Sequence, residues 1–160
     1  MKKLLAKKRD NKGFSLVELI VVILIMAVIA VALAPQVMKW VGKSKESTDA
    51  NNIGQIESAV NAGVADYMAQ NNTAEVTPVV YKIQKKTIDD KTTSFLADST
   101  GKEVTKTAGG KTLEDCILDA MNGKFPTVQS KADEFFWINI TKTGSVTVKQ
   151  AKENPFAPTT

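Results

Sequence analysis

Glu18 is the first residue that calls for a chemical explanation. It stands in the apolar block Phe14–Met38, 25 residues in which it is the only charge. A carboxylate this near a membrane interior costs about 2–3 kcal/mol on insertion scales, and such a charge generally has a partner and a task. The next basic side chain along the chain is Lys39, beyond reach on the same turns of a helix. A cut between Gly13 and Phe14 would supply a partner. The new α-amino group would lie four residues before Glu18, one helical turn away, and would be equally open to the Glu18 of a neighbouring copy.

Other candidate chemistry is thin. The 160 residues include no histidine, which excludes Ser-His-Asp and Cys-His catalysis and any His-ligated metal. The single cysteine, Cys116, allows no intrachain disulfide, has no activating base and reads as a small apolar core residue. The acid pairs Asp89-Asp90, Glu114-Asp115 and Asp133-Glu134 read as solvated loop or helix-start charge, without EF-hand-like spacing. Asn71-Asn72-Thr73 and Asn139-Ile140-Thr141 are formal glycosylation sequons of a kind that chance often produces, and there is no phosphate loop or dinucleotide fingerprint. No cofactor or metal is expected, and an enzyme is not the expected class.

Charge narrows the reading further. The sequence pI is about 9.1. Residues 1–13 hold six basic residues (Lys2, Lys3, Lys7, Lys8, Arg9, Lys12) against Asp10, while the remainder holds 15 Lys and Arg against 16 Asp and Glu. The basicity therefore sits in a short tail and does not describe a nucleic-acid-binding face.

Leu19 to Ala34 is an unbroken run of sixteen apolar residues. At about 1.5 Å per residue, roughly 20 residues cross a hydrocarbon core of about 30 Å, so the block around it can span. The preceding positive charges favour a cytoplasmic amino end. Two plain alternatives remain at this point. A secretory signal would have a shorter apolar region and a cut after Ala34; a simple single-pass anchor would leave Glu18 unexplained.

Lys12-Gly13-Phe14-Ser15-Leu16-Val17-Glu18-Leu19 resembles the leader junction of type IV prepilins, K-G-F-[ST]-L-x-E. The resemblance covers about residues 8–40. It implies that a prepilin peptidase cuts after Gly13 and methylates the new amino-terminal Phe14, and that Glu18 and Pro35 act in assembly. It also implies partners: further copies of the chain, the peptidase, an assembly ATPase and a platform protein, with DNA as a partner only in a DNA-uptake pilus. Methylation leaves the amine charged, so its pairing with Glu18 survives. Pro35 lacks a backbone donor and clashes with the carbonyl of Val31, which predicts a kink; the family adds local unwinding before it in the filament. Where the family often has glycine, this chain has Ala27, a strong helix former.

Beyond Pro35, Ile53, Ile56, Val60, Val64 and Tyr67 form one helical stripe, with Glu46, Asp49, Glu57 and Asp66 between them. The spacing predicts one helix from Phe14 to about Gln70, of about 85 Å, weakened at Gly42, Gly54 and Gly63 and ended by Asn71-Asn72-Thr73. A strand is predicted over Val79–Ile83, a loop over 98–111, and a short helix from Thr112 to about Met121 opened by a capping box with Asp115. Its apolar face is Leu113, Ile117 and Leu118, and Gly123 and Pro126 stop it. Phe135–Thr141 and Ser145–Lys149 around Lys142-Thr143-Gly144 predict a hairpin. Trp40 suits a membrane interface and Trp137 a sheet.

The expected architecture is α+β: a pilin fold with a long amino-terminal helix on a small antiparallel sheet. The expected organisation is a cleaved leader at 1–13, a membrane and assembly half-helix at 14–38, an amphipathic half-helix at 39–72 and a head at 73–160. The expected function is a filament subunit, held in the membrane by a single span and then exported into an extracellular filament. A pseudopilin of type II secretion or DNA uptake is the alternative, and a membrane-anchored binding domain that never polymerises is the remoter one.

Overall fold

The structure is a computed structural model that describes residues 14–109 and 112–157. Helix α1 spans Leu16–Asn71, strands β1 and β2 span Val79–Ile88 and Lys91–Asp98, helix α2 spans Leu113–Ala120, and strands β3 and β4 span Phe135–Ile140 and Val146–Ala151. The chain divides into two compact units, one ending at Val41 and one beginning at Gly42. The protein is α+β, a long amino-terminal helix packed on a small antiparallel sheet.

The core lies in the second unit. Ile56, Val60 and Val64, four residues apart on one face of α1, are buried against the sheet, with Ile53 and Tyr67 at the edge of the stripe. The strand order is β2-β1-β3-β4, every neighbouring pair antiparallel. Leu96, Ile83 and Phe136 lie in register across three strands, as do Tyr81, Ile138 and the next pair Ile138 and Val148. These rows share one face because side chains alternate along a strand. Helix α2 adds Leu113 and Ile117. Burying each large apolar side chain contributes roughly 1.5–3 kcal/mol.

Local chemistry sets the ends of the elements. Asn72 takes a left-handed φ of 49°, and the N–H groups of Asn72 and Thr73 donate to the carbonyls of Ala69 and Met68, which closes α1 in a Schellman motif. Thr112 caps α2: its hydroxyl accepts from the Asp115 N–H while the Asp115 carboxylate accepts from the Thr112 N–H.

Two features depart from the sequence reading. The strand at Val79 continues to Ile88, and β2 at Lys91–Asp98 was not anticipated. The two are joined at Asp89 and Asp90, whose φ values of 49° and 60° are those of a tight primed turn. Aspartate tolerates that region, although the usual signal is Asn-Gly. Glu114 and Asp115 start α2 as the capping-box reading expects, Asp115 buried in the cap and Glu114 accepting from the Tyr81 hydroxyl at 2.6 Å.

The second departure is Asp49, expected on the polar side of α1 but only 2% exposed. Its two oxygens accept from the N–H groups of Gln129 at 2.7 Å and Ser130 at 2.8 Å, tying α1 to a loop 80 residues away in sequence. Burial pushes its pKa up. The Ser130 hydroxyl and N–H, the Gln129 N–H and the charge of Lys85 outweigh that and hold it below the ordinary 3.8. Glu57 has a related task, accepting from the N–H of Val148 at 3.0 Å and so covering part of the β4 edge.

Of the three glycines in α1, only Gly63 has a packing reason. A Cβ there would sit 2.8 Å from the Cys116 carbonyl oxygen and 2.9 Å from the Ile117 Cα, whereas Gly42 and Gly54 face nothing within 4 Å. Gly63→Ala is therefore expected to lose about 1–3 kcal/mol from overpacking, while Gly54→Ala gains up to about 1 kcal/mol of helix propensity. Denaturant unfolding of the two variants measures both signs. Asp49→Asn is expected to cost about 1–3 kcal/mol by leaving a buried N–H without its acceptor. Because the folded pKa of Asp49 is depressed, its stabilisation is present above the unfolded value and is lost as pH falls through the folded one. Denaturation midpoints between pH 6 and pH 2 should fall less steeply for the Asn variant.

Candidate processing and assembly site

The candidate site lies where α1 begins. Gly13, the expected residue before the cut, lies outside the described residues. Phe14 and Ser15 precede the helix, and Phe14 is 80% exposed. The Ser15 N–H donates to Glu18 Oε2 at 2.9 Å, and the Leu19 N–H donates to the Ser15 carbonyl at 3.2 Å. Ser15 is thus in the N-cap position and Glu18 in the third helical position, giving the carboxylate half of a capping box.

This adds a neutral partner to the account of Glu18 drawn from sequence. A charged partner for Glu18 arises only with the cut. The uncut chain already offers a neutral donor three residues away, and the positive end of the helix macrodipole favours a carboxylate there. The signal was present as Ser15-x-x-Glu18, the same spacing that exposed the cap at Thr112. Cleavage at 13–14 would place an ammonium next in sequence to that donor.

Pro35 lies inside α1, which is assigned without interruption from Leu16 to Asn71. Local unwinding is not a property of the single chain. The Val31 carbonyl still lacks the amide hydrogen that a residue other than proline would offer. Around Pro35 the surface is apolar and open. Every residue from Leu16 to Val41 is exposed, and Trp40 is 62% exposed. This portion of α1 is long and apolar enough to cross a membrane, and none of its most apolar 18-residue window is buried. An apolar surface of this extent marks a membrane or association surface.

Residues 8–34 match the family described as the prokaryotic N-terminal methylation motif. This is a prepilin-type amino terminus. The matched residues include Gly13, Phe14, Ser15 and Glu18, and they stop one short of Pro35. No curated protein and no solved structure matches the chain. The prepilin-type segment supports a type IV pilin-like or pseudopilin-like reading of the chain. It implies processing by a prepilin peptidase, and with the apolar helix it is consistent with anchoring in a membrane.

The capping contact gives a direct test within the prepilin-type segment. In the uncut chain in detergent micelles, Glu18→Ala should speed amide hydrogen exchange at Ser15 several-fold, leaving residues 22–34 unchanged. Equal rates at Ser15 in both proteins would remove Glu18 from the cap.

Proposed function

We propose that the chain is the precursor of a structural subunit of a type IV pilus filament, polymerised through its apolar amino-terminal helix. The observation that carries this reading is a prepilin-type segment running into a helix surface that is exposed from Leu16 to Val41. In this proposal residues 1–13 are a leader removed after Gly13, and Phe14 becomes the N-methylated first residue. Residues 14–38 hold the subunit in the membrane with its amino end cytoplasmic until assembly. Residues 39–72 complete the helix, and residues 73–160 form the head of the extracellular filament.

Leaving lipid for a bundle of similar helices yields little hydrophobic gain, so van der Waals packing holds the bundle together. Glu18 then sets axial register by exchanging its Ser15 donor for the charged amine of a neighbouring subunit's Phe14, a stronger charge-assisted bond. Energy for extraction comes from outside the chain, from an assembly ATPase working through a platform protein. A pseudopilin of a type II secretion or DNA-uptake system is the second reading. The lone cysteine departs from pilins that close a carboxyl-terminal loop with a disulfide and fits pseudopilins or the pilins of Gram-positive bacteria.

Amino-terminal sequencing and mass measurement of the mature protein test the processing step. The expected product begins at methylated Phe14; a product that retains residues 1–13 and still forms filaments overturns the proposal. A bulky residue in place of Gly13 should leave full-length precursor in the membrane. Glu18→Ala should still be cut but should assemble at least tenfold less filament, scored by sheared-filament yield, or should lose methylation.

A further inference from the structure

Helix α2 runs out into a turn built from the chain's one Asn-Gly pair, Asn122-Gly123. The Lys124 N–H donates to the Met121 carbonyl at 2.9 Å, and the two residues between them have φ values of 48° and 66°. That is the φ pattern of a type I′ turn, which selects this dipeptide because Asn and Gly tolerate left-handed backbone. Both residues are exposed, and a Cβ added at Gly123 would meet nothing within 4 Å. Among the described residues neither the Gly123 N–H nor the Asn122 side-chain amide makes a hydrogen bond.

This pair can react with itself. The Gly123 nitrogen is bonded to the Asn122 carbonyl carbon, so its attack on the side-chain amide carbon closes a small ring with the advantage of an intramolecular reaction. The nitrogen gives its proton to solvent and bonds to Cγ; the Cγ–Nδ2 bond breaks and ammonia leaves. Water then opens the succinimide at either carbonyl, giving aspartate or, with the main chain routed through the side chain, isoaspartate. The net change is a water consumed and an ammonia released, and no other reagent is needed. Glycine leaves the attacking nitrogen unshielded. Ring closure requires Asn122 to leave its turn conformation. Only the Lys124–Met121 bond spans the pair, and a net hydrogen bond favours a closed form by no more than about tenfold. Other asparagines lack one of these conditions. Asn139 is in β3 and precedes β-branched Ile140, and Asn61 is inside α1. Asn154 precedes Pro155, which has no N–H, and its Oδ1 accepts from the Phe156 N–H.

We propose that Asn122 is a site of spontaneous self-modification that ages the folded head. The product matters because of what flanks the turn. Met121 and Phe125 are both buried in the core, and the Ser94 hydroxyl donates to the Phe125 carbonyl. Isoaspartate adds a methylene to the main chain between those two anchors, so the turn that joins them is not re-formed and its Lys124–Met121 bond is lost. Either product also adds a negative charge just past the carboxyl end of α2, where the macrodipole disfavours it. The inference is independent of the filament reading.

The test incubates the full chain in detergent micelles at mildly alkaline pH and maps its peptides by mass spectrometry, with isoaspartate scored by an isoaspartate-specific methyltransferase. Conversion at Asn122 is expected at least tenfold faster than at Asn139. Isoaspartate should be the larger product, and amide exchange at Lys124 should be several-fold faster in the converted protein than in the fresh one. Asn122→Gly keeps a residue suited to left-handed backbone and removes the reacting amide; the same incubation should leave its exchange at Lys124 unchanged. Conversion at Asn122 no faster than at Asn139 overturns the proposal. So does a converted protein that exchanges at Lys124 like the fresh one, or an Asn122→Gly protein that ages as fast as the parent.

Discussion

The packing of Ile56, Val60 and Val64 against the sheet is the contact on which the head is built. Without it, the apolar face of a four-stranded sheet would meet water along Tyr81, Ile83, Leu96, Phe136 and Ile138. The same helix also carries the tethers that fix its placement. Asp49 holds the loop at Gln129 and Ser130, Glu57 reaches the β4 edge, and Gly63 lets the backbone of α2 come close. Two carboxylates and one missing side chain thus fix a fit that apolar area alone leaves loose. Upstream of Val41 the helix is built on the opposite principle, with mostly apolar side chains that are exposed along its whole described length. Such a surface is stable only in lipid or against similar surfaces.

The amino-terminal motif connects these two regimes to processing. In the proposed filament Glu18 has a use before and after the cut, as a carboxylate at a helix start where backbone donors are unsatisfied. Before cutting, the donor is the Ser15 amide. Afterwards, in the proposed filament, it is an ammonium. The insertion cost of an acid near lipid is partly offset in the first state and more fully in the second. This ordering gives Glu18 a reason to change partners without moving far along the chain.

Much of this was legible from residue types. The stripe on α1, the cap at Thr112 and Asp115, the strand opening at Val79 and the hairpin at Phe135 follow from periodicity and turn chemistry. What was not legible depended on partners distant in sequence. Asp49 looks like Glu46 and Asp66 until the loop at Gln129 is folded beside it, and nothing in the local pattern separates Gly63 from Gly54. Strand β2 was hidden for a different reason. Its first half is Lys91-Thr92-Thr93-Ser94, too polar to show an apolar alternation, and the turn before it uses Asp-Asp. The Ser15–Glu18 cap was legible in the Ser-x-x-Glu spacing.

Cys116 draws one last consequence from the close meeting of the helices. Its thiol is buried at the crossing where Gly63 touches the backbone of α2, and burial, with Asp66 nearby, pushes its pKa up. Thiolate is the species that alkylating and oxidising reagents attack, so the folded head shields this atom twice, by access and by protonation. With no other cysteine in the sequence, labelling of the protein by a maleimide becomes a clock for opening of the head. The same arrangement lets the head keep its strength in reducing and oxidising surroundings alike, since no cross-link is there to be gained or lost.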